Sequence, residues 1–211
     1  MDRIIGVTEM NRNLVLLAIG AVAVIAVAAV VFANTGDRTA PAPDDPIHTD
    51  ASVAVVYFSE TGNTEDIAKK IAEAADCDLI RIVPEVEYTS ADLNYNDSSN
   101  RTYVESHDPS ARPGIANSMD LSRYDCIFLG YPIWYGDSPK IMWTFAETQD
   151  LAGKTVIPFC TSGSSGIGSS AAHLEALTDE GAWLDGKRFS GSASYDEVYS
   201  WVSDLLAGDA A

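Results

Sequence analysis

Cysteine is scarce. Cys77, Cys126 and Cys160 are the three in 211 residues, and no two of them form a C-x-x-C pair or a metal-ligand cluster. Cys126 and Cys160 lie in apolar runs and read as small core residues. If they sit on neighbouring parallel strands, Cys126 opens one strand and Cys160 closes the other. They are then about 13 Å apart along the strand, too far for a disulfide. Histidine is as rare: His48, His107 and His173 show no metal spacing, so no metal site is expected. A nucleophile elbow and a catalytic-triad signature are also missing.

Positive charge is the second deficit. Thirteen Lys and Arg stand against 31 Asp and Glu, for a net charge of −18. Residues 51–211 contribute 10 basic and 25 acidic residues, or −15 of that total. Such a surface repels nucleic acid and anionic membranes, so no nucleic-acid partner is expected. It suits a cationic or weakly docking protein partner, and it also keeps the chain soluble. Apolar residues, by contrast, are plentiful at 46%, enough to build a core.

Residues 14–33, LVLLAIGAVAVIAVAAVVFA, form a 20-residue run without a charge. That length crosses a bilayer as a helix, and no polar face interrupts it. Arg3 and Arg12 precede the run and Arg38 follows it, a slight bias that favours an internal N-terminus and an external domain. Val31-Phe32-Ala33 resembles a small-residue cleavage site, but the run exceeds a usual signal core. The expectation is therefore an uncleaved single-pass anchor in the cell membrane with the domain extracytoplasmic. Cleavage would make the protein secreted. Residues 34–50, NTGDRTAPAPDDPIHTD, read as a flexible linker. The chain thus divides into an N-terminal flank (1–13), an anchor or signal segment (14–33), a linker (34–50) and a folded domain (51–211).

The domain alternates strand and helix patterns. Residues 53–58 (VAVVYF), 79–83, 126–131 and 155–160 read as strands, with a short fifth between 182 and 190. Residues 64–75, 140–149 and 169–178 read as helices. Ser194-x-x-Glu197 is a capping box that opens a last helix bearing Val198, Trp201, Val202, Leu205 and Leu206. Pro158 counts against a fully bonded central strand, and residues 84–118 show no clear element. The alternation predicts an α/β fold: a doubly wound, five-stranded parallel sheet with helices on both faces. Ligands in such sheets sit beyond the carboxyl ends of the strands.

Three loops lie there. The first, Ser59-Glu60-Thr61-Gly62-Asn63-Thr64, places hydroxyls at 59, 61 and 64 around a glycine, just before a helix. Backbone N–H groups, hydroxyls and the helix dipole can together hold a phosphate without a basic side chain. It is not a triphosphate loop, since G-x-x-x-x-G-K is absent. The second loop carries Pro132-Ile133-Trp134-Tyr135-Gly136, two adjacent aromatics that can wall a flat ring. The third, from Thr161-Ser162-Gly163 through Gly166, permits close backbone approach to a ligand. It is not a dinucleotide fingerprint.

Ser59-x-Thr61-Gly62-Asn63-Thr64 closely resembles the T/S-x-T-G-x-T phosphate loop of flavodoxins, and the element order matches that family over residues 53–206. The resemblance implies FMN, with its phosphate on Ser59, Thr61, Asn63, Thr64 and the loop amides. It implies stacking on Trp134 first and Tyr135 second. Gly136 resembles the glycine whose peptide meets the flavin N5, and the third loop meets the ring's polar edge. The aromatic of short flavodoxins is missing from that third loop. With no Lys or Arg in the three loops, the second electron is expected to be the harder one to add. The leading expectation is an FMN-binding electron-transfer protein tethered to a membrane, serving an unidentified redox partner protein. One alternative is an NAD(P)H-dependent quinone or flavin reductase, with residues 84–118 as a lid and Tyr88, Tyr95 and Tyr103 as its walls. Another is a non-redox binding module with a degenerate flavin site.

Overall fold

A computed structural model describes residues 52–178 and 180–207. The anchor and linker expected over residues 14–50 lie outside the described residues. Among the latter, no helix is long and apolar enough to cross a membrane. The chain runs β1 (Val53–Tyr57), α1 (Asn63–Ala75), β2 (Asp78–Arg81), α2 (Arg101–His107), β3 (Cys126–Pro132) and α3 (Lys140–Thr148). It continues with β4 (Thr155–Thr161), α4 (Ser170–Glu175), β5 (Ala182–Trp183), β6 (Lys187–Phe189) and α5 (Tyr195–Leu206).

All strand pairs are parallel, in the order β2-β1-β3-β4-β5, with β6 also on β4. β1 and β3 are buried along nearly their whole length, which explains their unbroken apolar sequences. Alternate residues feed two cores. On one face Val55, Tyr57, Phe128 and Ile157 meet Ile67 and Ile71 of α1 and Val198 and Val202 of α5. On the other Val56, Ile127 and Leu129 meet Ile141, Met142 and Phe145 of α3 and Leu174 of α4. Each fully buried side chain of this size contributes about 1.5–3 kcal/mol, so the two layers hold the strand ends in place. Cys126 and Cys160 are both buried and free, in opposite cores.

The expected fifth strand comes in two pieces. Val156 pairs with Trp183 and Phe159 with Lys187, so four steps on one strand oppose three on the other. The break faces Pro158. The Val156 carbonyl accepts from Leu184 N–H at 2.9 Å, so Pro158, two residues on, turns its missing N–H toward the same neighbour. Gly186 fills the gap, where a Cβ would come 2.9 Å from the Pro158 carbonyl. The 84–118 stretch contains the short helix α2, whose first turn is capped by the Asn100 side chain accepting from Tyr103 N–H.

Candidate functional site

The loops after β1, β3 and β4 meet at Thr161. Its hydroxyl lies 2.8 Å from the Thr64 hydroxyl, and both residues are buried. Its carbonyl accepts from Ile133 N–H at 2.9 Å, and its backbone pairs in register with Pro132. One threonine thus joins the first loop to the third, and the third to the second.

In the first loop, Gly62 sits before α1 at φ 87°, where an added Cβ would meet open space. This left-handed turn lets the chain enter the helix without a side-chain cap. The Asp66 N–H is the first to return a backbone bond, to the Gly62 carbonyl. The preceding amides are therefore left for an external acceptor, at the positive end of a 13-residue helix. Thr61 and Asn63 are exposed beside it, with Asn63 Nδ2 donating to Thr61 Oγ1 at 3.3 Å. Ser59 is buried, and its carbonyl accepts from Arg81 Nη2 at 3.0 Å. The Glu60 side chain turns to Arg81, 3.6 Å away, leaving only its backbone to the loop. Burial raises the Glu60 pKa above its ordinary value, partly offset by Arg81.

The second loop corrects one expectation. Trp134 and Asp137 exchange two backbone hydrogen bonds, of 2.8 and 3.0 Å, around Tyr135 at φ 49° and Gly136 at φ 88°. Positive φ at both central positions marks a tight turn of the I′ kind. The turn drops Trp134 into the core, 6% exposed, with its indole edge-on to Phe58 and Tyr88 at 5.5 and 5.3 Å. Trp134, expected as the first stacking surface, instead supports the turn from below. Tyr135 takes the upper position. A non-glycine residue at this φ costs about 1–3 kcal/mol, the kind of strain found at ligand sites.

Two of the tyrosines expected as walls of a lid surround Tyr135, together with His107, which the sequence did not single out. The Tyr135 ring lies 4.8 Å from Tyr95, 5.3 Å from Tyr103 and 5.6 Å from His107, which itself stacks on Tyr103 at 4.0 Å. Its hydroxyl is buried without a partner, so aromatic contacts hold it. Tyr88 belongs underneath: its hydroxyl donates to Glu105 at 2.7 Å, and Arg101 covers its ring at 3.9 Å. Burial and the Glu105 carboxylate both raise the Tyr88 pKa. His173, which showed no metal spacing in the sequence, reaches Asp137 with Nδ1 at 2.8 Å from Oδ2, linking α4 to the second loop.

The third loop departs from expectation in its charge. Gly163 and Gly166 are exposed, and an added Cβ at Gly163 would meet open space. Ser162 donates to the Ser165 carbonyl. Arg188 of β6 also reaches this loop, through three hydrogen bonds to Ser162 and Gly163. A cation therefore stands against a loop whose own sequence contains none. No group of acidic, histidine or cysteine side chains that could hold a metal occurs among the described residues.

The family model described as flavodoxin matches residues 52–205. Among solved structures, a protein of Bacteroides eggerthii assigned as a flavoprotein is 40% identical, at a TM-score of 0.69. The match covers 75% of this chain and 99% of that one. A similar assignment from Bacteroides uniformis is also 40% identical, at a TM-score of 0.69, covering 74% and 99%. A Lactobacillus acidophilus flavoprotein, solved in complex with FMN, is 21% identical, covers 65% and 93%, and has a TM-score of 0.50. No curated protein matches the chain.

Proposed function

The chain belongs to the flavodoxin family, and from that premise we propose that it binds FMN and carries electrons for a partner protein. The observation that carries this reading is the open start of α1. A 13-residue helix begins with no side-chain cap, beside the hydroxyls of Thr61 and Thr64. α3 and α4 also start without a side-chain cap, so the uncapped start marks a site here because hydroxyls and the Gly62 turn stand beside it. The residues fit a phosphate dianion: neutral donors, a helix dipole and open space at Gly62. FMN is the ligand in the Lactobacillus relative.

In this reading Thr61, Asn63, Thr64 and the loop amides hold the phosphate. Tyr135 and Gly136 bound the ring, and Ser162 and Gly163 line its remaining side. Bound FMN supplies the capacity to take up and release electrons one at a time. The protein orients it and sets the local charge. The acidic surface favours docking to a cationic partner face, and residues 14–33 tether the domain to a membrane.

Titration with FMN and with riboflavin, followed by the visible spectrum, tests the site. FMN is expected to bind far more tightly than riboflavin, and Thr61→Ala to lose about 1.5–3 kcal/mol of FMN affinity. Equal affinity for the two ligands would overturn the phosphate assignment. The cluster of Tyr95, Tyr103 and His107 over Tyr135 favours a second reading, a reductase whose roof receives a flat acceptor. Steady oxidation of NAD(P)H by the FMN-loaded protein in the presence of a quinone would select it.

A further inference from the structure

Arg188 lies on the short strand β6, paired with Cys160 one residue before the end of β4. From there it reaches across the strand end into the third loop. Its Nε donates to Ser162 Oγ at 3.2 Å, and its Nη2 to the carbonyls of Ser162 and Gly163 at 2.5 and 3.0 Å. Every one of these acceptors is neutral. None of the ion pairs among the described residues includes Arg188. Arg81 makes the contrast. It grips the Ser59 carbonyl of the first loop in the same way, but the Glu60 carboxylate is 3.6 Å from its guanidinium.

The third loop is therefore held in shape by a cation that forms no ion pair among the described residues, in a chain of net charge −18. Ser162 follows Thr161, whose hydroxyl touches Thr64 at the phosphate cradle. On the side of the second loop, Ile133 donates to the Thr161 carbonyl. A ligand gripped at Thr64 and walled by Tyr135 is thus bounded by Ser162 and Gly163. With its Nε and Nη2 committed to the loop, Arg188 acts by its charge and by fixing those carbonyls. Adding two electrons and one proton to a neutral isoalloxazine leaves a monoanion, and a nearby positive charge favours that form.

We propose that Arg188 is a positioning residue of the flavin site whose unpaired charge favours entry of the second electron. The proposal rests on FMN binding as argued above. It reverses the sequence-based expectation of a site without a cation. Salt screens charges beyond roughly 10 Å, so the diffuse acidic surface counts for less than a charge fixed on the loop itself.

The test is a stepwise dithionite titration of the full chain loaded with FMN, for wild type, Arg188→Lys, Arg188→Gln and Arg188→Met. Each variant's affinity for oxidised FMN is measured alongside. The two neutral variants are expected to bind the fully reduced ligand about tenfold more weakly relative to the half-reduced one. That ratio corresponds to a second-step potential lower by about 59 mV. Arg188→Lys keeps the charge but loses the planar fork. It is expected to hold its second-step potential near that of wild type while losing affinity for both forms. Neutral variants with the wild-type potential would overturn the proposal and leave Arg188 a structural clamp. If they do not fold, a lysine variant displaced by the full tenfold would overturn it as well. A wild-type chain that binds no FMN would overturn the flavin reading itself, an outcome separable from unchanged potentials in a protein that does bind it.

Discussion

Single residues decide what the three loops can do, and the clearest case is Glu60. Its carboxylate is mostly buried in the first loop, with Arg81 at 3.6 Å as a partial partner. Burial is the larger influence, and it raises the pKa above the ordinary 4.5. A carboxyl raised in the folded state binds a proton there that the unfolded chain has already released. Folding stability therefore falls as pH rises from about 4.5 through the raised value, and the cost persists above it. Glu60→Gln removes that cost. Urea denaturation of the FMN-free protein is expected to show the variant gaining on wild type between pH 4 and pH 7. A variant that loses ground over this interval would mean that Arg81 outweighs the burial. The hydroxyls of the first loop were legible in sequence because their spacing is local. Which of Trp134 and Tyr135 is buried was not, because the positive φ at Tyr135 sets it, and adjacent aromatics in a sequence do not reveal a turn's hand.

At the scale of elements, apolar runs and caps were readable wherever one segment carries its own signal. β1, β3, β4 and α1 fall within two residues of their expected bounds, and Ser194 caps α5 by accepting from Glu197 N–H at 3.2 Å. The helix α2 was not readable: it spans seven residues and buries only Thr102. The split of β5 and β6 was hidden as well, since it arises where Pro158 on one strand meets Gly186 on the next. Arg188 and His173 reach the site from elements distant in sequence, so no local motif announces them. Gly130 shows how such pairings constrain a sequence. It lies opposite Phe159 in the β3–β4 register, and an added Cβ would clash with that ring, which is fully buried. Gly130→Ala ought to gain up to about 1 kcal/mol from reduced chain entropy if space allowed. Overpacking instead costs about 1–3 kcal/mol, so a net loss is expected in chemical denaturation. An alanine variant as stable as wild type would show that the Phe159 ring moves aside freely.

For the whole molecule, charge and apolar length make opposing demands on location. Residues 51–211 carry −15, which repels anionic lipid headgroups, so the folded domain has no electrostatic reason to sit on a membrane. Residues 14–33 contain no charge and are long enough to span the hydrocarbon core. Any attachment must then come from apolar burial, which salt does not weaken, whereas screening by salt relieves the repulsion. Fractionation of cells expressing the full chain is expected to place it in the membrane pellet, where it stays through a high-salt wash and leaves only with detergent. Residues 51–211 expressed alone are expected in the supernatant at every salt concentration. Release of the full chain by salt would mean that a charged contact holds it, and residues 14–33 would then lose their role as the anchor. A shortened chain in the supernatant of full-length cultures would instead locate a cleavage after the apolar run and make the domain a secreted carrier.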